Sequence, residues 1–129
     1  MATILIVEDE PIVALHLQET IKGMGHSVSA IIDSGDAVLA AVMKNRPDLI
    51  LMDIKLRSFI DGVDAAQRVK LMYKDISVIF LTAYPSQSIQ GRALNTKPAA
   101  YLVKPVDDML LCKQIEEALA AGETKVGAS

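Results

Sequence analysis

Two short apolar runs in this sequence end abruptly in carboxylates. The run Ile4-Leu5-Ile6-Val7 leads into Glu8-Asp9-Glu10, and the run Leu49-Ile50-Leu51-Met52 leads into Asp53. A continuous apolar run of this length is typical of a strand buried on both faces, as in the parallel sheets of α/β proteins. Open α/β folds place their sites at the carboxyl edge of the sheet, so we expect these acidic groups to meet there. Their mutual repulsion indicates a site that holds a cation.

Strand and helix patterns alternate five times along the 129 residues. Pro11 suits the first turn of the first helix, Gly23 and Gly25 suit its end, and Ser34 or Asp36 is a candidate cap for the second helix. The predicted strands are 2–7, 28–32, 49–52, 77–81 and 99–103, and the predicted helices are 11–24, 34 or 36 to 44, 62–73, 86–95 and 106–121. In the third helix we expect these apolar residues to face inward: Val63, Ala66, Val69, Leu71 and Met72.

Alternating strands and helices with short connections predict an α/β fold, with a parallel sheet covered on both faces. Right-handed crossovers lead to a doubly wound, flavodoxin-like (βα)5 domain with strand order 2-1-3-4-5. In that order strands 1 and 3 are neighbours, which brings Glu8, Asp9 and Asp53 to one rim beside the strand ends that carry Thr82 and Lys104. We expect one domain over residues 1–121, and a flexible tail or the start of a linker over 122–129.

Charge and hydropathy narrow the class of protein further. The net charge of −3 argues against a nucleic-acid surface within this chain, because binding to a phosphate backbone needs clustered lysine and arginine. No apolar stretch is long enough to span a bilayer, and the N-terminus lacks the basic segment of a signal peptide. We therefore expect a cytoplasmic protein with no membrane partner.

Five motifs, taken in order, resemble the receiver domains of two-component response regulators over nearly the whole chain. They are Ile6-Val7-Glu8-Asp9, Leu49-Ile50-Leu51-Met52-Asp53, Asp61-Gly62, Phe80-Leu81-Thr82-Ala83 and Tyr101-Leu102-Val103-Lys104-Pro105. Each motif alone is common, and their shared order and spacing carry the resemblance.

The resemblance implies a role for each residue of the rim. Asp53 would be the phosphoacceptor, Lys104 would offset phosphoryl charge, and Thr82 would donate a hydrogen bond to the phosphoryl group and act with Tyr101 as a switch. Mg²⁺ would be held by oxygens of the following residues: Glu8, Asp9, Asp53 and the backbone carbonyl of Lys55. The peptide between Lys104 and Pro105 would be cis, and Lys55 with Tyr84 would limit the access of water to the phosphorylated site.

The resemblance also implies the partners. A sensor histidine kinase or a histidine phosphotransfer protein would supply the phosphoryl group. The face built from the fourth helix, the fifth strand and the last helix would then bind a downstream protein or a second copy of the chain. The chain would catalyse only its own phosphorylation and dephosphorylation, so we do not expect an enzyme that acts on a separate substrate.

The loop after Asp53 departs from the family pattern. Arg57 stands where proline is common, and the loop has one extra residue before Gly62. Two apolar residues in this loop, Phe59 and Ile60, either cover the site or offer a docking contact, or else fold back onto the third helix, and we favour the last of these.

Three other classes of protein compete with this interpretation. A haloacid-dehalogenase-like phosphatase needs a second aspartate two residues after its nucleophile, where this chain has Lys55. A flavodoxin-like cofactor binder needs a phosphate-binding loop after the first strand, where Glu8-Asp9-Glu10 would repel a phosphate. A degenerate receiver that acts only through protein contacts is disfavoured by the intact set of site residues.

Overall fold

Five strands and five α-helices alternate in the computed structural model, which describes the backbone of residues 1–128 and the side chains of residues 1–122. The strands are β1 (Thr3–Val7), β2 (Ser27–Ile32), β3 (Leu49–Asp53), β4 (Ser77–Thr82) and β5 (Ala100–Val103). The helices are α1 (Pro11–Gly23), α2 (Val38–Lys44), α3 (Gly62–Met72), α4 (Gln87–Asn95) and α5 (Asp108–Ala128).

The strands form one parallel sheet in the order β2-β1-β3-β4-β5, which confirms the predicted doubly wound fold. Val7 pairs with Met52, Asp53 pairs with Leu81, and the next residue of β4 pairs with Val103. This register brings the carboxyl ends of β1, β3, β4 and β5 to the same edge of the sheet.

Alternate residues of each apolar run point to opposite faces of the sheet. Ile4 and Ile6 pack with α1 and α5, whereas Leu5 and Val7 pack with α2, α3 and α4. The same alternation separates Leu49 and Leu51 from Ile50 and Met52 in β3. Because both faces are covered, these strands read as uninterrupted apolar segments, and the residues that follow them emerge at the rim.

The helix ends largely follow the local sequence signals. Pro11 is the first residue of α1, and Gly25 takes a φ of 88° in the turn after it, a conformation that favours glycine. Ser86 caps α4 by accepting a hydrogen bond from the backbone N–H of Ile89. The predicted cap of α2 is wrong for both candidates, because Ala37 stands at its N-cap. Ser34 instead precedes a 3₁₀ turn over Gly35–Ala37 without a side-chain cap bond, and Asp36 lies within that turn.

Two predicted inward residues of α3 lie on the surface. Leu71 is 82% exposed and Met72 is 55% exposed, whereas Val63, Ala66 and Val69 are fully buried. Leu71 follows Val69 by two residues, which on a helix is nearly the opposite face, and Met72 is the last residue of α3.

The last helix continues past residue 121, where the sequence analysis ended it, and runs to Ala128. Within the predicted tail, the side chains of residues 123–129 lie outside the described part of the structure. The domain boundary at 121 and the tail or linker at 122–129 stay predictions. None of the helices in the described part of the chain has the length and apolarity needed to cross a bilayer.

Candidate functional site

The buried polar and charged side chains of residues 1–122 lie at one edge of the sheet. They are Glu8, directly after β1, Asp53, the last residue of β3, and Thr82, the last residue of β4, and they are 2%, 5% and 1% exposed. A buried carboxylate is costly unless charges or hydrogen bonds compensate it. Two of them beside a buried hydroxyl therefore mark this rim as a built site.

Lys104 supplies the compensating charge. Its Nζ lies 2.6 Å from Oε1 of Glu8 and 3.4 Å from Oδ2 of Asp53, so one ammonium group links two acidic strand ends. The backbone holds it in place, because the N–H of Lys104 donates to the carbonyl oxygen of Thr82 at 2.8 Å. The peptide between Lys104 and Pro105 is cis, as the resemblance implied.

Burial and neighbouring charges shift the pKa values of both Asp53 and Lys104. Burial, followed by hydrogen bonding and charge from Glu8, raises the pKa of Asp53 to about 7, although Lys104 opposes the shift. Burial lowers the pKa of Lys104, but its hydrogen bond to Glu8 and the charges of Asp53 and Glu8 outweigh this effect and raise it. Near neutral pH the site therefore holds a charged lysine beside an aspartate that is ionised only in part.

An acidic cluster adjoins this pair. One carboxylate oxygen from each of Glu8, Asp9 and Glu10 lies within 4.8 Å of the others. Hard cations such as Mg²⁺ prefer ligands of this type, which are oxygens from one or two carboxylates completed by water and phosphate. The donor set therefore fits a hard divalent cation, and the cluster includes Glu10, which the sequence analysis did not count among the ligands.

Asp9 also has a partner that the sequence analysis missed. Its Oδ2 accepts a hydrogen bond from the backbone N–H of Arg57 at 3.1 Å and lies 3.7 Å from Nε of the same residue. The sequence did show an arginine at a position where proline is common. That departure alone could not predict the contact with Asp9, because a loop residue can reach many neighbours.

The switch residues predicted from the resemblance lie on neighbouring strands. Oγ1 of Thr82 accepts a hydrogen bond from the backbone N–H of Tyr84 at 3.1 Å, so its hydrogen is the part of the hydroxyl that can be donated elsewhere. Tyr101 pairs with Phe80 across the sheet and packs against the core on the side of α4. Its hydroxyl oxygen is buried and has no hydrogen-bond partner in the described structure.

Hydrogen bonds close the loop between β3 and α3 at its two ends and fix its middle. The backbone N–H of Gly62 donates to the carbonyl oxygen of Ile54 at 2.8 Å. In the middle, Ser58 accepts from the N–H of Gly35 at 2.9 Å and donates to the carbonyl oxygen of Ile60 at 2.7 Å. A side chain at Gly62 would put a Cβ 2.1 Å from the carbonyl oxygen of Asp53, so this close approach requires glycine.

The two apolar residues of this loop differ in burial. Ile60 is partly buried and packs against the core cluster that contains α3, as favoured from the sequence. Phe59 is 99% exposed, so the prediction that it folds back onto α3 is wrong. Ile60 points into the core, and the adjacent side chain of Phe59 points into solvent.

A second contact spans the loops that follow β3 and β4. Nζ of Lys55 lies 4.5 Å from the centre of the Tyr84 ring, within the range of a cation–π interaction. These residues stand two positions after Asp53 and Thr82 respectively. The contact therefore joins the two loops next to the buried carboxylate.

The structure thus brings together most of the predicted site. Glu8, Asp53 and Lys104 are in direct contact, and Thr82 adjoins them through the strand register and its bond to Lys104. Asp9 belongs to the acidic cluster but contacts Arg57. The predicted metal role of the Lys55 carbonyl stays a prediction. The contact described for Lys55 is that of its side chain with the Tyr84 ring.

Fold and site together define a class, that of doubly wound α/β domains with a carboxylate and lysine site at the carboxyl rim. A family model described as the response regulator receiver domain matches residues 4–116. The chain belongs to this family. It is thereby a receiver domain of two-component response regulators.

Curated relatives match over nearly the whole chain. The chain is 37% identical over 121 residues to the phyllosphere-induced regulator PhyR of Methylorubrum extorquens. This alignment covers 92% of this chain and 44% of that protein. It is 30% identical over 117 residues to the transcriptional regulatory protein PdtaR of Mycobacterium tuberculosis, covering 91% and 56% respectively. The chain therefore spans about half the length of these relatives.

Solved structures show the same architecture. The signal receiver domain of a modulated diguanylate cyclase from Desulfovibrio desulfuricans superimposes with a TM-score of 0.90 at 30% identity, covering 97% of this chain and 98% of that one. A CheY-like response regulator receiver domain protein from Methanospirillum hungatei gives a TM-score of 0.91 at 26% identity, with the same coverage.

Proposed function

We propose that this chain is a phosphorylation-controlled binding module in which Asp53 accepts a phosphoryl group from a histidine kinase or a histidine phosphotransfer protein. The observation that carries the proposal is the convergence of buried Glu8, Asp53 and Thr82 with Lys104 at one rim. Membership in the receiver family supports it. We expect this transfer to take place in the cytoplasm.

The proposed reaction is a transfer between two nucleophiles. A carboxylate oxygen of Asp53 forms the new P–O bond, while the P–N bond to the donor histidine breaks and its nitrogen keeps the electron pair. Such a transfer needs little from the protein beyond positioning and charge stabilisation. Lys104 favours the ionised, nucleophilic form of Asp53 and can then contact a phosphoryl oxygen.

We propose that Mg²⁺ occupies the acidic cluster during this transfer. Glu8, Asp9, Asp53 and the backbone carbonyl of Lys55 would hold it, and of these Glu8 and Asp9 belong to the acidic cluster. When bound, it supplies positive charge that offsets the incoming phosphoryl oxygens. In this proposal the chain catalyses only its own phosphorylation and dephosphorylation.

The proposed output runs through Thr82 and Tyr101. A phosphoryl group on Asp53 adds acceptor oxygens beside a hydroxyl that has a hydrogen to donate. Movement of Thr82 changes the packing next to Tyr101, whose buried hydroxyl lacks a partner in the present arrangement. An unpaired buried hydroxyl is costly, so an arrangement that paired it would gain the free energy of that hydrogen bond. We propose that the α4-β5-α5 face thereby changes its affinity for a downstream protein or a second copy.

We also propose that the contact between Lys55 and Tyr84 slows hydrolysis of the phosphorylated site. The two side chains lie across the loops that flank Asp53, where an attacking water would approach. Tyr84 is more than half exposed, so the pair forms an outer cover.

The proposal is tested with Mg²⁺ and beryllofluoride, a mimic of the phosphoryl group, added to the isotope-labelled chain. We expect amide signals around Asp53, Thr82 and Tyr101 to shift, because the mimic binds at Asp53 and the other two residues form the proposed switch. Asp53→Asn should remove the response and keep the dispersed spectrum of a folded domain. A full response in the Asn variant would refute Asp53 as the acceptor.

A further inference from the structure

The carboxylate of Asp9 is engaged by a cation that belongs to the chain itself. Oδ2 of Asp9 lies 3.7 Å from Nε of Arg57, and the backbone N–H of Arg57 donates to the same oxygen at 3.1 Å. The side chain of Asp9 is 11% exposed, whereas that of Arg57 is 85% exposed. The guanidinium group therefore covers Asp9 from the solvent side.

The other acidic groups of the rim are neutralised differently. Lys104, a largely buried side chain, serves both Glu8 and Asp53. Asp9 has no contact of this kind with Lys104 among the described salt bridges, and its cationic partner comes from the loop after β3. Lys104 thus neutralises Glu8 and Asp53, and Arg57 neutralises Asp9.

A divalent cation and the Arg57 guanidinium compete for the same carboxylate group. Both are attracted to Asp9, and at this distance their like charges repel each other. A cation at either oxygen of Asp9 is therefore disfavoured by the guanidinium group, unless that group moves away, which its high exposure allows without disturbing the core.

We propose that Arg57 is a built-in competitor for Mg²⁺ at Asp9, which lowers the affinity of the unphosphorylated domain for the metal. This inference rests on the proposed function, because it requires Mg²⁺ to bind at the acidic cluster. Arg57 would thereby raise the Mg²⁺ concentration at which the site is half filled.

Arg57→Gln isolates the guanidinium group, since the backbone N–H bond to Asp9 does not depend on the side chain. We expect Mg²⁺ to bind about two- to fivefold more tightly to this variant, the change expected when one exposed ion pair no longer opposes binding. Arg68→Gln is the matched control, because it removes the same charge from an exposed position on α3.

Calorimetric titration of the metal-free full chain with Mg²⁺ alone measures the dissociation constants. Tighter binding by Arg57→Gln, with Arg68→Gln close to the unsubstituted chain, supports the inference. Equal constants for the two variants, or weaker binding by Arg57→Gln, would overturn it while leaving the metal site in place. If the unsubstituted chain takes up no Mg²⁺ at millimolar concentration, the proposed metal site fails and the inference fails with it.

Discussion

Asp53 shows how its surroundings change the chemistry of a single side chain. Burial and the neighbouring Glu8 hold its pKa at about 7, and Lys104 keeps the pKa from rising further. The fold therefore stores an unfavourable interaction at the residue that we propose reacts. A bound cation would relieve it, since its positive charge offsets the negative charge that burial opposes.

This raised pKa predicts how stability depends on pH in metal-free solution. In the unfolded chain Asp53 ionises near 3.8, so folding favours its protonated form, and that stabilisation is lost as the pH rises from about 4 through about 7. Asp53→Asn avoids the loss, and we expect it to be more stable than the unsubstituted chain by roughly 1–3 kcal/mol at about pH 8, with a smaller gap at about pH 5.

Urea unfolding in the presence of a chelator measures this gap. Asp33→Asn, a change at an exposed aspartate, serves as the control for the substitution itself. A gap for Asp53→Asn that stays constant between these two pH values would contradict the raised pKa.

At the scale of elements, the strands were predictable because burial on both faces leaves a plain apolar signature. The residues that follow them could be placed at one rim by topology alone, which is why Glu8, Asp53, Thr82 and Lys104 were found together. Helix faces were less predictable, as the exposed Leu71 shows, because a short apolar helix end carries no clear period.

Loops were the least predictable elements. The contact between Arg57 and Asp9 and the opposite fates of Phe59 and Ile60 depend on the path of a single loop. That path is determined by tertiary hydrogen bonds from Ser58 and Gly62, which have no periodic signature in the sequence.

The start of α3 supplies a prediction at this scale. Gly62→Ala would place a Cβ 2.1 Å from the carbonyl oxygen of Asp53, which is backbone and cannot turn aside. We expect a loss of about 1–3 kcal/mol in the free energy of unfolding, together with shifted amide signals at Asp53.

Gly91→Ala is the matched control, because a Cβ at this position in α4 meets nothing within 4 Å. Alanine is the better helix former, so this variant should gain about 0.5–1 kcal/mol. Equal effects of the two substitutions in chemical denaturation would mean that the approach of α3 to Asp53 is looser than the structure has it.

At the scale of the whole molecule, the acidic rim and the proposed output face are connected through neighbouring strands. Asp53 pairs with Leu81, the residue before Thr82, and Tyr101 lies on β5 and packs against the core cluster on the side of α4. Arg92 ties α4 to α3 through Asp61 at 3.0 Å and Asp64 at 3.1 Å. In the proposed switch, a change at the rim would thus act on a helix with one buried residue, Ala93, among its nine.

We propose that Asp53 takes up a phosphoryl group with the help of a divalent cation. Intact mass spectrometry after incubation with a small phosphodonor and Mg²⁺, followed by peptide mapping, measures this reaction itself. We expect one added phosphoryl group, located on Asp53 and absent when a chelator replaces Mg²⁺ or when the residue is changed by Asp53→Asn. A phosphoryl group on another residue, or undiminished labelling of the Asn variant, would contradict it.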